Sequence, residues 1–185
     1  MKFHKTPLSG VILVEPTVHR DSRGFFKETY HQPRFEAAGI GMPFVQDNLS
    51  ESARGTLRGL HYQIEHPQGK LVQAVYGEVF DVVVDVRAGS PTFGQWYGAT
   101  LSADNHRLLY VPPGFAHGFC VTSERAQVAY KCTDIYFPKG ERSVRWDDPQ
   151  VGIDWPVAEP TLSDKDRAAP SLADLGPDDL LPYRG

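Results

Sequence analysis

Cysteine is scarce in this sequence of 185 residues, and its N-terminal region lacks a long apolar run. The two cysteines, Cys120 and Cys132, belong to no Cys-x-x-Cys pair, which argues against a disulfide framework or a cysteine-based metal site. We therefore expect two free, buried thiols. Residues 1–7 (MKFHKTP) introduce neither a signal peptide nor a membrane span. These features predict a cytoplasmic protein without a membrane partner.

The chain also has no excess of basic over acidic residues. The chain has 19 Lys and Arg residues against 23 Asp and Glu residues, which gives a formal net charge of -4. A general nucleic-acid binder usually carries a basic face, so we predict no nucleic-acid partner. A small anionic ligand remains compatible with this balance, because a local group of Arg, Lys and His side chains is enough to bind one.

Helical patterns are rare, whereas turn residues are plentiful, with 17 Gly and 15 Pro. The turns separate short β-prone runs, predicted at 11–15, 57–63, 70–76, 79–86, 96–101, 108–111, 118–122 and 127–133. Strands at this spacing predict an all-β fold, an antiparallel sandwich or barrel. Gly77-Glu78 is predicted to form a hairpin turn, and 112–114 (PPG) a tight loop between strands.

Only two segments, 33–39 and 164–168, have helical character. The first begins with Pro33 and ends at Gly39, the residues that favour a helix start and a helix end. The chain from Pro156 onward is poor in apolar residues. We expect this last part to wrap around the barrel or fray.

Two histidines occur in unusual settings. His61 lies in a predicted strand, in the run RGLHYQ, and His117 follows the loop at 112–114. Either could be an ordinary core histidine. Arg58 precedes His61 by three positions, which places the two side chains on opposite faces of a regular strand unless a bulge intervenes. Arg58 is therefore expected to reach the site of His61 only if it lies on a loop.

The segment 112–117 reads Pro-x-Gly-x-x-His and resembles the second half-motif of the cupin barrels. The first half-motif normally supplies His-x-His and a Glu, but here Gln63 stands where the second His would be. A transition-metal site usually needs three protein ligands, so we predict no metal and no other cofactor. The alternative is a metal-dependent cupin enzyme, with candidate ligands His61, Glu65 or His66, and His117.

Several cationic side chains adjoin turns or glycines and could bind a diphosphate, although each could equally be surface charge. They are Arg23, Arg58, Lys70, His117 and Lys165. Tyr130, near the end of a predicted strand, could act as a general acid or pack in the core. Ser163 can cap a short helix, and Asp166 either completes that cap or orients a histidine.

Several motifs occur in the order found in one known family. They are 21–28 (DSRGFFKE), 46–48 (QDN), 58–63 (RGLHYQ), 68–72 (QGKLV), 81–87, 90–94 (SPTFG), 113–119, 130–133 (YKCT), 146–149 (WDDP) and 163–166 (SDKD). On these motifs, which span roughly residues 3 to 168, the chain resembles the dTDP-4-dehydrorhamnose 3,5-epimerases, metal-free cupins of dTDP-L-rhamnose synthesis. The resemblance implies one domain over 1–185, a cupin-type double-sheet jelly roll with short peripheral helices and a peripheral tail from about residue 169.

The resemblance also implies catalytic roles. His61 would be the base, paired with Asp166, while Lys70 would face the C4 oxygen and Tyr130 would be the acid on the opposite side of the sugar ring. The chemistry agrees, because a C–H beside a ketone is acidic only when an enolate can form. Inversion then needs a base, a donor for the oxyanion and a second proton source.

The binding residues implied by the resemblance are more numerous. Ligand contacts are expected from Arg23, Glu28, Gln46, Asn48, Arg58, His117, Glu141 and Lys165, and packing on the thymine from Phe26 and Tyr136. The family further implies a dTDP-sugar substrate and a homodimer in which the N-terminal segment reaches the neighbour's site. Enzymes that epimerise only C3 or only C5 share these motifs, and a non-catalytic cupin that binds a sugar nucleotide is a third possibility.

Overall fold

The structure of the protein is a computed structural model, and it describes residues 1–184. The strands in this range are β1 (Lys2–Lys5), β2 (Ile12–Glu15), β3 (Val18–Asp21), β4 (Gly24–Lys27), β5 (Gln46–Ala53), β6 (Leu57–Gln63), β7 (Lys70–Tyr76), β8 (Glu78–Asp85), β9 (Trp96–Ser102), β10 (Leu108–Val111), β11 (Phe115–Val121), β12 (Arg125–Cys132) and β13 (Glu141–Ser143). The helices are α1 (Gln32–Ala37) and α2 (Asp164–Arg167), with 3-10 turns at Pro138–Gly140, Leu172–Asp174 and Pro177–Asp179. No helix within residues 1–184 is long and apolar enough to cross a membrane.

The strands form two facing antiparallel sheets and a separate hairpin. The six-stranded sheet has the order β1-β2-β10-β7-β12-β5, the five-stranded sheet the order β13-β6-β11-β8-β9, and β3 pairs with β4. Consecutive strands therefore alternate between sheets at several points, as in a double-sheet jelly roll. The predicted all-β class and cupin-type architecture are confirmed.

The main hydrophobic core lies between the two sheets, and β8 illustrates how the sequence builds it. Val79 and Val83 point into this core, whereas Val82 and Val84 pack on the opposite face of the five-stranded sheet. This is the alternation that a strand with both faces covered requires. Asp81 shares the inner face with Val79 and Val83, so a carboxylate is carried into the interior.

The outer faces of both sheets are also covered, that of the six-stranded sheet only in part. Phe35 of α1 is fully buried against the six-stranded sheet, in a cluster with Leu71 and Leu108. The chain after β13 covers the five-stranded sheet, where Val151 and Leu172 are buried. The C-terminal part therefore wraps around the barrel rather than fraying, and its bridges between Thr56 and Thr161 and between Ala88 and Pro182 tie it down.

The hairpin predicted at Gly77-Glu78 is wrong. Residues before and after it, in β7 and β8, belong to different sheets, so this turn carries the chain across the barrel. Gly77 has φ +68°, and a Cβ there would lie 2.0 Å from the carbonyl oxygen of Arg125. A crossing of one residue between closely packed strands requires glycine. A tight hairpin turn also favours glycine, so the two cannot be distinguished from the local sequence.

Arg58 and His61 lie on one strand, β6, and not on a strand and a loop as expected. In the pairing of β6 with β11, His61 faces His117 and Arg58 faces Phe119, so three steps on β6 match two on β11. The extra residue is a β-bulge, which turns both side chains to the same face. Gly59 in the bulge has φ +132°, and its backbone lies close to Gly118 of β11.

Gly118→Ala tests how tightly this bulge is held. Its Cβ would lie 2.6 Å from the carbonyl oxygen of Arg58 and 3.0 Å from the Cα of Gly59, so backbone atoms would have to move. We expect the free energy of unfolding to fall by about 1–3 kcal/mol, as for other overpacked sites, in urea denaturation. Gly41→Ala is the control, because nothing lies within 4 Å of its added Cβ. Equal unfolding midpoints for the two variants would contradict the tight contact.

Candidate active site

One large cavity of about 550 Å³ opens between the two sheets. Its walls come from β5, β7 and β12 on one side and from β6 and β11 on the other, with β13 and α2 at the rim. The predicted site residues that line it are His61, Tyr130, Asp166, Lys70, Gln46, Asn48, Arg58, His117, Tyr136, Glu141 and Lys165. The fold therefore brings together side chains from residue 46 to residue 166.

His61 and Asp166 form a short polar contact in the cavity. His61 Nε2 lies 2.5 Å from Asp166 Oδ1, and Asp166 is only 3% exposed. Burial raises the pKa of this carboxyl, but hydrogen bonds from His61, Ser163 and the Gly59 backbone outweigh burial, so the pKa lies below its usual value. Asp166 is therefore ionised and fixes the ring, which leaves His61 Nδ1 as the nitrogen for a ligand.

Of the two interpretations of Asp166 drawn from the sequence, only the orientation of a histidine fits the contacts of its side chain. Its backbone N–H donates to Ser163 Oγ at 3.1 Å, so Ser163 caps α2 as predicted. Its side chain pairs with His61, so Asp166 orients a histidine and does not complete a capping box. The short helix α2 therefore positions the Asp166 carboxylate beside His61 in the cavity.

Lys70 approaches the same histidine from the opposite sheet. It is the first residue of β7, and its Nζ donates to the carbonyl oxygen of His61 at 3.2 Å. Burial lowers the pKa of Lys70, and negative neighbours oppose this shift only in part. The Lys70 side chain is therefore held inside the cavity by the neutral carbonyl oxygen of His61.

Tyr130 also belongs to the sheet opposite His61. It lies on β12, paired with Asn48 of β5 and Val72 of β7. Burial raises the pKa of its phenol, so the hydroxyl keeps its proton at neutral pH. A basic imidazole and a protonated phenol therefore line the same cavity from facing sheets.

A second histidine–carboxylate pair lies deeper. His117 Nε2 contacts both carboxylate oxygens of Asp81, at 3.0 and 2.9 Å, and Asp81 is completely buried. Asp81 lies in the strand predicted at 79–86, but no partner was predicted for it. An acidic residue in the core-facing positions of an otherwise apolar strand was the signal that could have identified it.

Three residues join at the cavity mouth. Glu141 Oε2 accepts from Lys165 Nζ at 2.5 Å and from Tyr136 OH at 2.9 Å. Burial raises the pKa of Glu141, but the hydrogen bonds from Lys165 and Tyr136 outweigh burial, so the pKa lies below its usual value and the carboxyl stays ionised. Tyr136 is half exposed, which leaves its ring face open to solvent.

Two cationic groups in the cavity stand out because they contact only neutral oxygens. Arg58 Nε donates to Ser52 Oγ at 2.9 Å, and Lys70 Nζ donates to a carbonyl. Neither has an ion-pair partner within residues 1–184, whereas Lys165 is paired with Glu141. Positive charge that is free for a ligand is therefore concentrated on Arg58 and Lys70.

Three predicted binding residues do not reach this cavity. Arg23, Phe26 and Glu28 lie on the β3–β4 hairpin or just after it and border separate surface depressions. Phe26 is 71% exposed, Arg23 pairs with Asp21 at 2.6 Å, and Glu28 pairs with Arg34 at 2.7 Å. Within a single chain they are surface residues.

The alternative metal site does not assemble. Gln63 is buried, and its amide nitrogen donates to the carbonyls of His66 at 2.6 Å and Ile135 at 3.2 Å. Its amide oxygen accepts from the backbone N–H of Phe137 at 3.1 Å. Glu65 and His66 are exposed and outside the cavity lining, and no metal-like cluster of His, Cys, Asp and Glu occurs in the described chain.

Sequence reasoning missed one strand of the site almost entirely. β5 reads QDNLSESA, without the apolar alternation that identifies a strand. Its inward residues are polar because they face the cavity, and the outward Leu49 is 64% exposed. Gln46 and Asn48 were found only through the family resemblance, and Ser50 and Ser52 were not found.

Known proteins of one family are similar to this chain in sequence and in fold. The family model for dTDP-4-dehydrorhamnose 3,5-epimerase matches residues 5–174. The dTDP-4-dehydrorhamnose 3,5-epimerase of Pseudomonas aeruginosa is 57% identical over 94% of this chain and 97% of that protein. The Legionella pneumophila dTDP-6-deoxy-D-glucose-3,5-epimerase RmlC, solved in complex with dTDP-4-keto-L-rhamnose, superposes with a TM-score of 0.97 at 49% identity, covering 100% of this chain and 99% of that one.

A relative with a narrower activity has the same fold. ChmJ, a 3'-monoepimerase from Streptomyces bikiniensis solved in complex with dTDP-quinovose, is 40% identical, with a TM-score of 0.87 over 92% of this chain and 87% of that one. The family model covers most of the chain, and the relatives match it nearly end to end. The chain therefore belongs to the dTDP-4-dehydrorhamnose 3,5-epimerase family, and it is an isomerase.

Proposed function

We propose that the protein epimerises C3 and C5 of dTDP-4-dehydro-6-deoxy-D-glucose to give dTDP-4-dehydro-L-rhamnose, in dTDP-L-rhamnose biosynthesis. The observation that carries this proposal is the placement of a base and an acid on facing sheets around one cavity. His61 on β6 and Tyr130 on β12 both line it. Inversion at carbon requires removal of a proton from one face and return to the other, and this arrangement supplies both.

The first step is proton removal by His61. Asp166 accepts the hydrogen bond from Nε2, so Nδ1 carries the lone pair that takes the substrate proton. The ionised carboxylate then stabilises the imidazolium that forms, as in other histidine–carboxylate pairs. Asp166 acts through His61 and need not touch the sugar.

The enolate formed in this step needs a donor at the C4 oxygen. Lys70 is suited to this role because its ammonium group has no ion-pair partner in the described chain and lies beside His61. A donor aimed at a developing oxyanion typically contributes about 3–4 kcal/mol to transition-state stabilisation. C3 and C5 both flank C4, so one oxyanion site serves both inversions.

Tyr130 completes each inversion by returning a proton to the opposite face of the ring. Its phenol is protonated at neutral pH because burial raises its pKa. The phenolate left behind is accommodated near Arg58, whose charge favours it. No bound metal or other cofactor takes part in these steps. The support for this assignment is that the Gln63 amide is hydrogen-bonded to the backbone of His66 and Phe137 and offers no metal ligand.

The nucleotide part of the substrate would occupy the rest of the cavity. Arg58, with a guanidinium that contacts only neutral oxygens, is suited to the diphosphate, and His117 lies beside it on β11. Gln46, Asn48, Glu141 and Lys165 would complete the contacts. The half-exposed ring of Tyr136 at the mouth would pack on the thymine.

We further propose that a second copy of the chain completes each active site. Arg23, Phe26 and Glu28 would enter the site of a partner subunit in a homodimer. Their support is the exposure of Phe26 on a projecting hairpin and the absence of all three from the cavity of their own chain. The buried free thiols Cys120 and Cys132 support a reducing compartment, and we assign the reaction to the cytoplasm.

The second candidate is epimerisation at a single carbon. The observation in its favour is the similarity to ChmJ, a 3'-monoepimerase. Base, acid and oxyanion donor are needed for either outcome, so these residues do not separate the two.

Proton NMR of the reaction in deuterated water tests the function. With dTDP-4-dehydro-6-deoxy-D-glucose as substrate, we expect deuterium at both C3 and C5 and inverted configuration at both carbons. His61→Ala is the control and should give exchange at neither, because both abstractions use the same imidazole. Inversion with deuterium at only one carbon would establish the single-carbon alternative.

Tyr130→Phe separates proton removal from proton return. The change keeps the ring and its packing and removes only the hydroxyl. Since His61 can return a solvent deuteron to the face it deprotonated, we expect continued deuterium exchange but at least about 100-fold slower formation of inverted product. The ratio of exchange to inversion, read by NMR, is the measurement. Inversion of both carbons at the wild-type rate would assign the acid to another group.

Subunit mixing tests the shared site. We expect Arg23→Ala and His61→Ala each to be inactive alone, because every pocket would lack one required residue. After subunit exchange, a mixed dimer contains one pocket with both residues intact, so activity should return to about a quarter of wild type for random pairing. Exchange verified by native mass spectrometry without any recovery of activity would contradict the shared site.

A further inference from the structure

Ser50 differs from the other polar side chains on the inner face of β5. Gln46 accepts from the backbone N–H of Tyr136 at 2.8 Å, Asn48 donates to Cys132 Sγ at 3.5 Å, and Ser52 Oγ accepts from Arg58. The Oγ of Ser50 is buried, and no atom of residues 1–184 lies within hydrogen-bonding distance of it. Ser50 nevertheless lines the cavity.

A buried hydroxyl without a partner destabilises a fold, by about 1–3 kcal/mol in comparable cases. Alanine would fit at this position without that penalty, and valine or threonine would suit a strand better. The hydroxyl has no partner among the described residues, so it is available to a ligand in the cavity. A serine side chain rotates among three staggered positions, so its hydroxyl can turn toward a ligand in the cavity.

The position of Ser50 indicates which part of the ligand it would meet. It follows Asn48, which pairs with Tyr130, and precedes Glu51 and Ser52, which hold the Arg58 guanidinium. Ser50 therefore lies between Tyr130, the proposed proton donor, and Arg58, the residue proposed to bind the diphosphate. In a nucleotide-linked hexose, the group between the reacting C3 carbon and the diphosphate on C1 is the C2 hydroxyl.

We propose that Ser50 is a specificity-determining residue that hydrogen-bonds the C2 hydroxyl of the sugar. This inference rests on the proposed function. A hydroxyl at this place can donate or accept, so it can pair with a sugar hydroxyl without adding charge to a cavity that already holds several ionised groups. The contact recognises the sugar, whereas Arg58 and Tyr136 recognise the nucleotide.

The test combines Ser50→Ala with a substrate that lacks the C2 hydroxyl. For wild type, the 2-deoxy analogue should lower kcat/KM by about 10-fold, the size of a hydrogen bond lost in a closed site. Ser50→Ala should lower kcat/KM by about the same factor with the normal substrate, and should show at most about a 2-fold further loss with the analogue. Its affinity for dTDP, measured by calorimetry, should equal that of wild type.

Ser52→Ala is the matched control, since it makes the same change two residues along the same face. Its hydroxyl holds Arg58, so we expect weaker binding of dTDP itself and an undiminished penalty for the 2-deoxy analogue. The proposal is overturned if Ser50→Ala has wild-type kcat/KM with the normal substrate, keeps the full 2-deoxy penalty, or loses dTDP affinity. A wild-type enzyme that does not epimerise the normal substrate would instead refute the proposed function, before any variant is compared.

Discussion

The close approach of β6 to β11 is the constraint on which the site depends. Gly59 and Gly118 let the two backbones lie nearly in contact, and the extra residue of β6 is accommodated there as a bulge. Without the bulge, Arg58 would face the outer side of the sheet and leave the cavity. The position of the free positive charge therefore depends on two residues that have no side chain.

The charges in the cavity follow a simple order. Asp166 and Asp81 are matched with histidines and Glu141 with Lys165, which satisfies the carboxylates. Arg58 and Lys70 contact neutral oxygens instead. A cavity in which every cation were paired with a carboxylate would bind an anion poorly, because ligand binding would first break an ion pair. The arrangement thus keeps two cations available while the remaining charges are compensated internally.

The strands that are central in their sheets were predicted well from the sequence, because their apolar residues follow the pattern of burial. The bounds of β6, β7 and β10 were predicted as they are observed, and those of β8 to within one residue at each end. β5 was missed because its inner face meets a ligand cavity, so the apolar residues that identify a strand are absent there. The turn at Gly77 was misjudged because local sequence records a sharp bend but not the sheet to which the chain goes next.

The site residues show the same division. A histidine at position 61 and a carboxylate at 166 are far apart in sequence, and only the family resemblance paired them. Periodicity placed Arg58 on the wrong face, since a bulge depends on the neighbouring strand as much as on its own residues. Asp81 could have been recognised from chemistry alone, because a buried carboxylate requires a partner.

Gln63 determines how the cavity would respond to an added metal ligand. In the cupin half-motif a histidine would stand at this position, but here the Gln63 amide joins the segment around His66 to the segment from Ile135 to Phe137. Replacing Gln63 with histidine would offer one imidazole and at the same time release both segments. A single substitution at this position would therefore not convert the barrel into a metal site.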